Sequence, residues 1–143
     1  MNFKRQAKRL ESFLEEEFNK KQPIAVMPDG TTVYKEFKIK PIKNGSWGLY
    51  RIKGLIVDVF ETKACALIAA NYYSKSRFDL YNEIKLLDSN YHKNFVDSTM
   101  FKQRSKTAKD VDLKDLALWR WEITSARANY AKQEISRKFN SMF

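Results

Sequence analysis

Apolar residues recur at helical spacing over the first twenty residues of the chain. Phe3, Ala7, Leu10, Leu14 and Phe18 follow one another at intervals of four, three, four and four. This spacing places them along one face of a helix. The pattern predicts an amphipathic N-terminal helix over residues 2–21, ending before Pro23.

The period then changes to two. Apolar and polar positions alternate through four short runs, which is typical of strands with one buried face. Turn residues separate the runs at Pro28-Asp29-Gly30, Asn44-Gly45 and Lys53-Gly54. The pattern predicts an antiparallel meander of three or four strands, over residues 24–27, 33–39, 47–52 and 55–60.

Helical spacing returns after Thr62 and continues to the end of the chain. Thr62 is a suitable N-cap for a first helix, and Ser76 with Asp79 has the spacing of a capping box for a second. Residues 105–109 are polar and predict a loop. Asp112, with Asp115 three residues later, predicts the start of a long C-terminal helix that reaches almost to Phe143.

The C-terminal helix carries two apolar stripes, and Trp119 and Trp121 lie about 200° apart around its axis. A helix that is apolar on two sides has to be covered on both sides. Either the helix is sandwiched within one domain or its outer face meets another copy, most simply in a twofold dimer. We expect self-association, with Trp121, Ile135 and Phe139 at the interface. One stripe is Leu116, Trp119, Ile123, Ala126 and Tyr130, and the other is Ala117, Trp121, Ala128, Ala131, Ile135, Phe139 and Met142.

These elements predict an α+β fold in one domain over residues 1–143, consisting of the N-terminal helix, the meander and a helical half with a long last helix. Hydrophobic residues make up 43% of the chain, enough for a core without disulfides or metal. Cys65 is the only cysteine, and we expect it to be buried. A single cysteine suits a reducing compartment, and no apolar run is long enough to span a membrane.

The charge balance suggests a partner. Lys and Arg number 27 against 17 Asp and Glu, so the formal net charge is +10, which favours contact with nucleic acid or another acidic partner. A purely compositional origin of the charge is the alternative. The segment from Met100 to Lys109 has four cations and no acid, and the N-terminal helix begins with four more. The predicted contact residues are Lys4, Arg5, Lys8, Arg9, Lys102, Arg104, Lys106 and Lys109. Tyr34, Trp47 and Tyr50 on the sheet are candidates for stacking bases, or else cross-strand and core residues.

Most catalytic templates are excluded by composition. His92 is the only histidine, and the four glycines stand at turns and strand ends rather than in a phosphate-binding loop. Asp29 followed by Glu36 and Lys38, and Asp58 followed by Glu61 and Lys63, have the spacing of a restriction-endonuclease-like metal site. Each of these residues also has an ordinary structural role available. We therefore predict no catalytic residues, no cofactor and no metal, with a metal-dependent nuclease as an alternative.

The stretch that runs from Gly45-Ser46-Trp47-Gly48-Leu49-Tyr50 through Val59-Phe60-Glu61-Thr62-Lys63-Ala64 resembles small uncharacterised proteins of large tailed marine phages. In those proteins two paired strands also run into a Phe-Glu-Thr-Lys-Ala helix. The resemblance covers about twenty residues of the chain and implies a phage accessory or virion-associated role, in a bacterial host cytoplasm or a virion.

Taken together, the residues predict a cytoplasmic, self-associating binding or assembly protein that is not an enzyme and not a membrane protein. A basic surface contacts nucleic acid or another acidic partner. A phage structural or scaffold component without nucleic-acid affinity is an alternative of a different class.

Overall fold

The computed structural model describes residues 25–142. The predicted N-terminal helix lies outside the described residues, as do Lys4, Arg5, Lys8 and Arg9. Within the described part the chain forms an antiparallel sheet followed by helices, so the α+β class is confirmed. The strands are β1 (Ala25–Val26), β2 (Thr32–Tyr34), β3 (Phe37–Pro41), β4 (Trp47–Arg51) and β5 (Ile56–Phe60), and the helices are α1 (Lys63–Ser74), α2 (Phe78–Thr107) and α3 (Val111–Ser141).

The sheet is a meander whose strands are neighbours in chain order, β1-β2-β3-β4-β5. It has one strand more than the largest number predicted, because the expected strand over residues 33–39 is two strands. Lys35 adopts a left-handed conformation (φ 52°) and reverses the chain between β2 and β3. Phe37 and Ile39, the inward residues of β3, are fully buried, as their alternation with lysines predicts.

Helix α1 lies at the centre of the molecule. Thr62 caps it as predicted, since its hydroxyl accepts the Cys65 N–H at 3.3 Å. Every residue from Thr62 to Asn71 is buried, and Cys65 is fully buried as expected. Because the side chains of Ala64, Ala66 and Ala69 are small, the sheet can approach α1 closely on one side. Helix α2 can approach α1 closely on the other side. A helix that is apolar on all sides is stable only when it is enclosed in this way.

Helices α2 and α3 form a long antiparallel hairpin, each about 45 Å in length at 1.5 Å per residue. The end near α1 is anchored by Ile84 and Tyr91 of α2 and by Ile135 and Phe139 of α3, which belong to the main hydrophobic core. Towards the turn the buried residues are small or polar. Ser98 and Ser125 share a hydrogen bond of 2.6 Å between their hydroxyls, and Ala117, Thr124 and Ala128 lie against α2.

Three predicted helix boundaries were wrong. Residues 105–107 belong to α2 and not to a loop, since the Ala108 N–H still bonds the Arg104 carbonyl. The cap of α3 is Asp110, whose carboxylate accepts the Asp112 N–H at 2.9 Å. Ser76 does not cap α2, because it has a left-handed backbone (φ 55°) and Arg77 occupies the cap position.

Candidate nucleic-acid interface and self-association surface

The free end of the hairpin is the candidate interface. It comprises the last two turns of α2, the connection over residues 108–110 and the first three turns of α3; we call it the hairpin end. Asp110 and Asp112 lie at the N-terminus of α3, where the helix dipole favours negative charge. Lys106 and Arg104 lie in the last turn of α2, where positive charge is favoured. Helix chemistry thus accounts for part of this charge pattern.

The four predicted cations of this region are all at the hairpin end, and all are exposed. Within residues 25–142, Lys102, Arg104, Lys106 and Lys109 form no ion pair with a carboxylate. Their charge is therefore not neutralised by neighbours in this part of the chain. Exposed, unpaired cations are the groups that exchange counterions for phosphates.

The four cations do not form one flat patch. Lys102 and Arg104 are two residues apart on a helix, which places them about 200° apart around its axis. The ammonium of Lys102 lies over the Trp121 ring, 5.4 Å from its centroid. The guanidinium of Arg104 lies over the Phe101 ring instead, 5.7 Å from its centroid. The hairpin end is thus basic on two sides, and each side has an aromatic ring.

Arg120 completes the side that contains Arg104. Its guanidinium is also over the Phe101 ring, at 5.6 Å, so two arginines from different helices converge on one aromatic side chain. Between them lies a groove of about 260 Å³, whose other lining residues are Thr107, Ala108, Leu113, Leu116 and Ala117. Arg120 was not predicted from the sequence because it lies on α3, where acids alternate with bases. Its distance of 19 residues from Phe101 along the chain conceals their contact.

Two of the three predicted interface residues lie in the core of a single chain. Ile135 is fully buried and Phe139 is 5% exposed, and both pack in the core of a single chain against α1 and α2. Trp121 is half-buried beneath Lys102. Ile135 and Phe139 are therefore unavailable to another copy. The two stripes were correctly recognised, but the one chosen for the interface is the one that holds α3 to α2.

The other stripe faces outwards. Trp119 is 58% exposed and Tyr130 is 67% exposed, and Leu116 and Ala126 are also exposed. Ile123, in the middle, is half-buried. We call Leu116, Trp119, Ile123, Ala126 and Tyr130 the outer stripe. Large apolar side chains aligned on one exposed helix face are typical of an interaction surface.

The sheet aromatics do not form a stacking platform. Tyr34 points to α1, where its hydroxyl lies 3.5 Å from the Asn71 side chain. Trp47 lies beneath Lys63, whose ammonium is 5.3 Å from the ring centroid. Tyr50 is on the opposite face of the sheet, where its ring covers Gly48 and leaves no room for a Cβ there. The three rings therefore do not share one surface, and Tyr34 and Trp47 pack against the hydrophobic core, as the alternative interpretation predicted.

Neither nuclease-like motif converges on one point. Asp29 accepts the Thr31 N–H in its turn, and within the described residues it forms no ion pair with Lys38. Asp58 accepts hydrogen bonds from Tyr81 at 2.7 Å and Lys85 at 2.9 Å, whereas Glu61 lies near Ser46 and His92. Burial alone would raise the pKa of Asp58, but the Tyr81 and Lys85 hydrogen bonds outweigh it and the pKa is below its usual value.

Over the described residues no group of three or more His, Cys, Asp or Glu side chains is placed to hold a metal ion. The most buried carboxylate, Asp88 of α2, has a structural role instead. It accepts the N–H groups of Glu61 and Thr62 at 2.7 and 3.0 Å and the Thr62 hydroxyl at 2.8 Å. Burial raises the pKa of Asp88, against the opposing effect of these hydrogen bonds. Asp88 thereby ties α2 to the junction of β5 and α1.

None of the helices described over residues 25–142 combines the length and the apolar character needed to cross a membrane. Comparison with known proteins finds no match among family models, curated proteins or solved structures.

Proposed function

We propose that this protein is a non-enzymatic, self-associating binding or assembly protein whose hairpin end contacts nucleic acid. The observation that carries the proposal is the cation cluster of the hairpin end. Lys102, Arg104, Lys106 and Lys109 are exposed, and within the described residues none has a carboxylate partner. Such groups bind phosphates with an affinity that depends on salt and not on base sequence.

The convergence of Arg104 and Arg120 on Phe101 supports the same proposal. A guanidinium is planar, presents several N–H donors and binds phosphate oxygens in pairs. Phe101 and the neighbouring leucines give the groove between the arginines an apolar floor, against which a base or a sugar can pack. Lys102 over Trp121 repeats the combination of cation and ring on the other side.

The outer stripe supports the self-association half of the proposal. Trp119 and Tyr130 expose more than half of their surface, and aromatic side chains of this size are enriched at protein interfaces. We propose that another copy of the chain covers Trp119 and Tyr130. This interface lies on the opposite side of α3 from the stripe that was predicted from the sequence.

Three other functions make different predictions. If the partner is an acidic protein, its carboxylates would contact the same cations in place of phosphates. A phage structural or scaffold component predicts a large symmetric assembly without nucleic-acid affinity. A metal-dependent nuclease predicts Mg²⁺-stimulated cleavage that is lost on Lys38→Ala or Lys63→Ala. The nuclease is disfavoured because Asp58, Glu61 and Lys63 have separate partners.

The test is fluorescence anisotropy with labelled single- and double-stranded DNA and RNA over a salt series, with and without Mg²⁺. We expect binding that weakens steeply with salt. The triple variant Lys102→Glu, Arg104→Glu, Lys106→Glu should bind at least about tenfold more weakly, since three phosphate contacts become repulsive.

The matched control is Lys43→Glu, Lys53→Glu, Lys75→Glu, which changes the net charge equally at three exposed lysines outside the hairpin. It should weaken binding by less than about threefold, through long-range electrostatics alone. Equal losses in the two variants would mean that the hairpin end is not the site. No binding by the wild type at low salt would reject nucleic acid as the partner, and fragments appearing with Mg²⁺ would favour the nuclease.

A further inference from the structure

The outer stripe has the spacing of a coiled-coil seam. Leu116, Trp119, Ile123, Ala126 and Tyr130 follow at intervals of three, four, three and four, which are the a and d positions of successive heptads. The stripe spans about 22 Å of helix. Helix α3 is already held in helical form by α2, so a second copy can pack on it without the cost of forming a helix.

The charges beside the stripe are sorted by sign. Asp115 and Glu122 stand immediately before the a residues, at the g positions, and Arg120 and Arg127 stand immediately after the d residues, at the e positions. All four side chains are exposed, and in the described part of the chain none of them forms an ion pair. One flank of the stripe is therefore acidic and the other is basic.

This sorting distinguishes two ways of pairing the helix with a second copy. In a parallel pair, a g residue faces the e residue that lies five positions later on the other helix. Asp115 then meets Arg120 of the second copy, and Glu122 meets Arg127 of the second copy. In an antiparallel pair g faces g and e faces e, which would bring acid to acid and base to base.

Within one helix these pairs cannot form, because residues five apart lie about 140° apart around the axis. Asp97 and Lys93 of α2 line the same groove as Arg127, without an ion pair between Asp97 and Arg127. None of the four charges therefore has a partner of opposite charge in the described part of its own chain. Arg120, whose guanidinium lies over the Phe101 ring, belongs both to the flank of the seam and to the groove of the hairpin end.

The face of α3 that carries the outer stripe stays exposed beyond both ends of the stripe. Gln133 and Arg137 continue the seam towards the sheet, and both are exposed, so α1 and the sheet do not cover this face of α3. Arg137 bonds Glu134 of its own helix at 2.8 Å and ends the apolar seam. At the other end Asp112 occupies the preceding d position and is exposed as well.

We infer that two copies of this chain pair in parallel along the outer stripe, with their hairpin ends side by side. The inference specifies the geometry of the self-association in the proposed function and rests on it. The occupant of the outer stripe is the same stripe of a second copy, because only a copy supplies arginines opposite the acidic flank and acids opposite the basic flank in matching register.

Sedimentation velocity over about 1–100 μM is the first test, in a range where interfaces of modest size dissociate. The wild type should form a dimer, and Trp119→Gln should weaken it at least about thirtyfold, as expected for a central aromatic residue. The matched control is Leu86→Gln, which removes an equally exposed apolar residue (64%) outside the stripe and should leave the dimer unchanged. A wild type that stays monomeric overturns the inference, as does equal weakening by both variants.

Charge exchange tests the orientation. Glu122→Arg should weaken the dimer about tenfold, since two attractive pairs become repulsive. Adding Arg127→Glu to the same chain should restore the dimer, because the exchanged charges again attract in the parallel arrangement. In an antiparallel pair Glu122 does not face Arg127 of the second copy, so the second substitution would not compensate for the first. Failure of the double variant to restore the dimer therefore overturns the parallel geometry.

Disulfide formation gives a second test of orientation. Asp112→Cys and Gln133→Cys place a thiol at either end of the seam, and the wild type, whose single Cys65 is buried, is the control. In the parallel dimer each variant crosslinks to itself under mild oxidation. Crosslinks only in a mixture of the two variants would show antiparallel pairing. That outcome would overturn this inference while leaving self-association itself, and nucleic-acid binding by Lys102, Arg104 and Lys106, intact.

Discussion

Asp88 has a structural role that its position in the sequence does not reveal. It follows Leu87 in an amphipathic helix, where an acidic residue ordinarily faces solvent. The structure instead buries it to 1% exposure at the N-terminus of α1, with three hydrogen bonds to Glu61 and Thr62. The partners are 26 and 27 residues away, so no local pattern links them.

Asp88→Ala should lower the free energy of unfolding by about 2–4 kcal/mol. The substitution leaves two N–H groups and a hydroxyl without their acceptor. The free energy lost with these hydrogen bonds exceeds the free energy gained because a carboxylate is no longer buried. Urea unfolding followed by circular dichroism measures the change. Asp79→Ala is the control, since Asp79 is exposed in the first turn of α2, where it pairs with exposed Arg77, and its loss should change stability by less than about 1 kcal/mol. A loss at Asp88 no larger than at Asp79 would contradict the structural role.

Helices α1 and α3 both have apolar residues on two sides. Both sides of α1 are covered by the rest of the chain, whereas one side of α3 stays exposed. The alanines of α1 permit contact with the sheet on one side and with the hairpin on the other. The larger side chains of α3 pack on α2 along one stripe and remain exposed along the other. Both helices have two apolar stripes, so the stripes do not distinguish them. The size and exposure of the side chains do distinguish α1, which is enclosed, from α3, which has one exposed apolar face.

Two isoleucines of α3 allow this difference to be measured. Ile135→Ala should cost about 2–4 kcal/mol, because Ile135 is fully buried among α1, α2 and α3. Ile123→Ala makes the same chemical change on the outer stripe and should cost less than about 1 kcal/mol at protein concentrations where copies separate. Urea unfolding of both variants is the measurement. Equal costs would mean that the outer stripe is covered within one chain.

Several elements could be predicted from sequence because their causes are local. The Thr62 cap, the Asn44-Gly45 turn and the alternation at Phe37 and Ile39 all depend on residues close together in the chain. The left-handed turn at Lys35 was missed because lysine does not favour that conformation. The end of α2 was misplaced because Ser105 is polar yet buried against α3. Arg120 was missed because its contact with Phe101 crosses the hairpin.

At the scale of the whole molecule, the proposed dimer and the proposed nucleic-acid contact would reinforce each other. A parallel dimer places two hairpin ends at the same end of the assembly. A single nucleic acid that reaches both is held twice, and the second contact forms at high effective concentration. Self-association would then raise the affinity for nucleic acid without adding any contact within one chain.

Trp119→Gln should therefore weaken binding to long nucleic acids selectively. We expect at least about tenfold weaker binding to a duplex of about 30 base pairs, and little change for one of about 10 base pairs, which at about 3.4 Å per base pair is too short to contact two hairpin ends fully. Fluorescence anisotropy at concentrations where the wild type is dimeric checks this result, with Leu86→Gln as the control. Equal weakening for the two lengths would mean that the dimer does not raise the affinity by holding one nucleic acid at two hairpin ends.

The sequence by itself determined the class of the fold, the helix and strand periods, the two stripes of the last helix and the excess of positive charge. These properties depend on composition and on spacing within one element. Only the tertiary structure decided which stripe of α3 is core and which is surface, because that depends on whether α2 packs against one side or the other. It likewise decided that Arg120 joins Arg104 over Phe101, and that Asp88 ties α2 to the junction of β5 and α1, since both contacts join residues brought together only by folding.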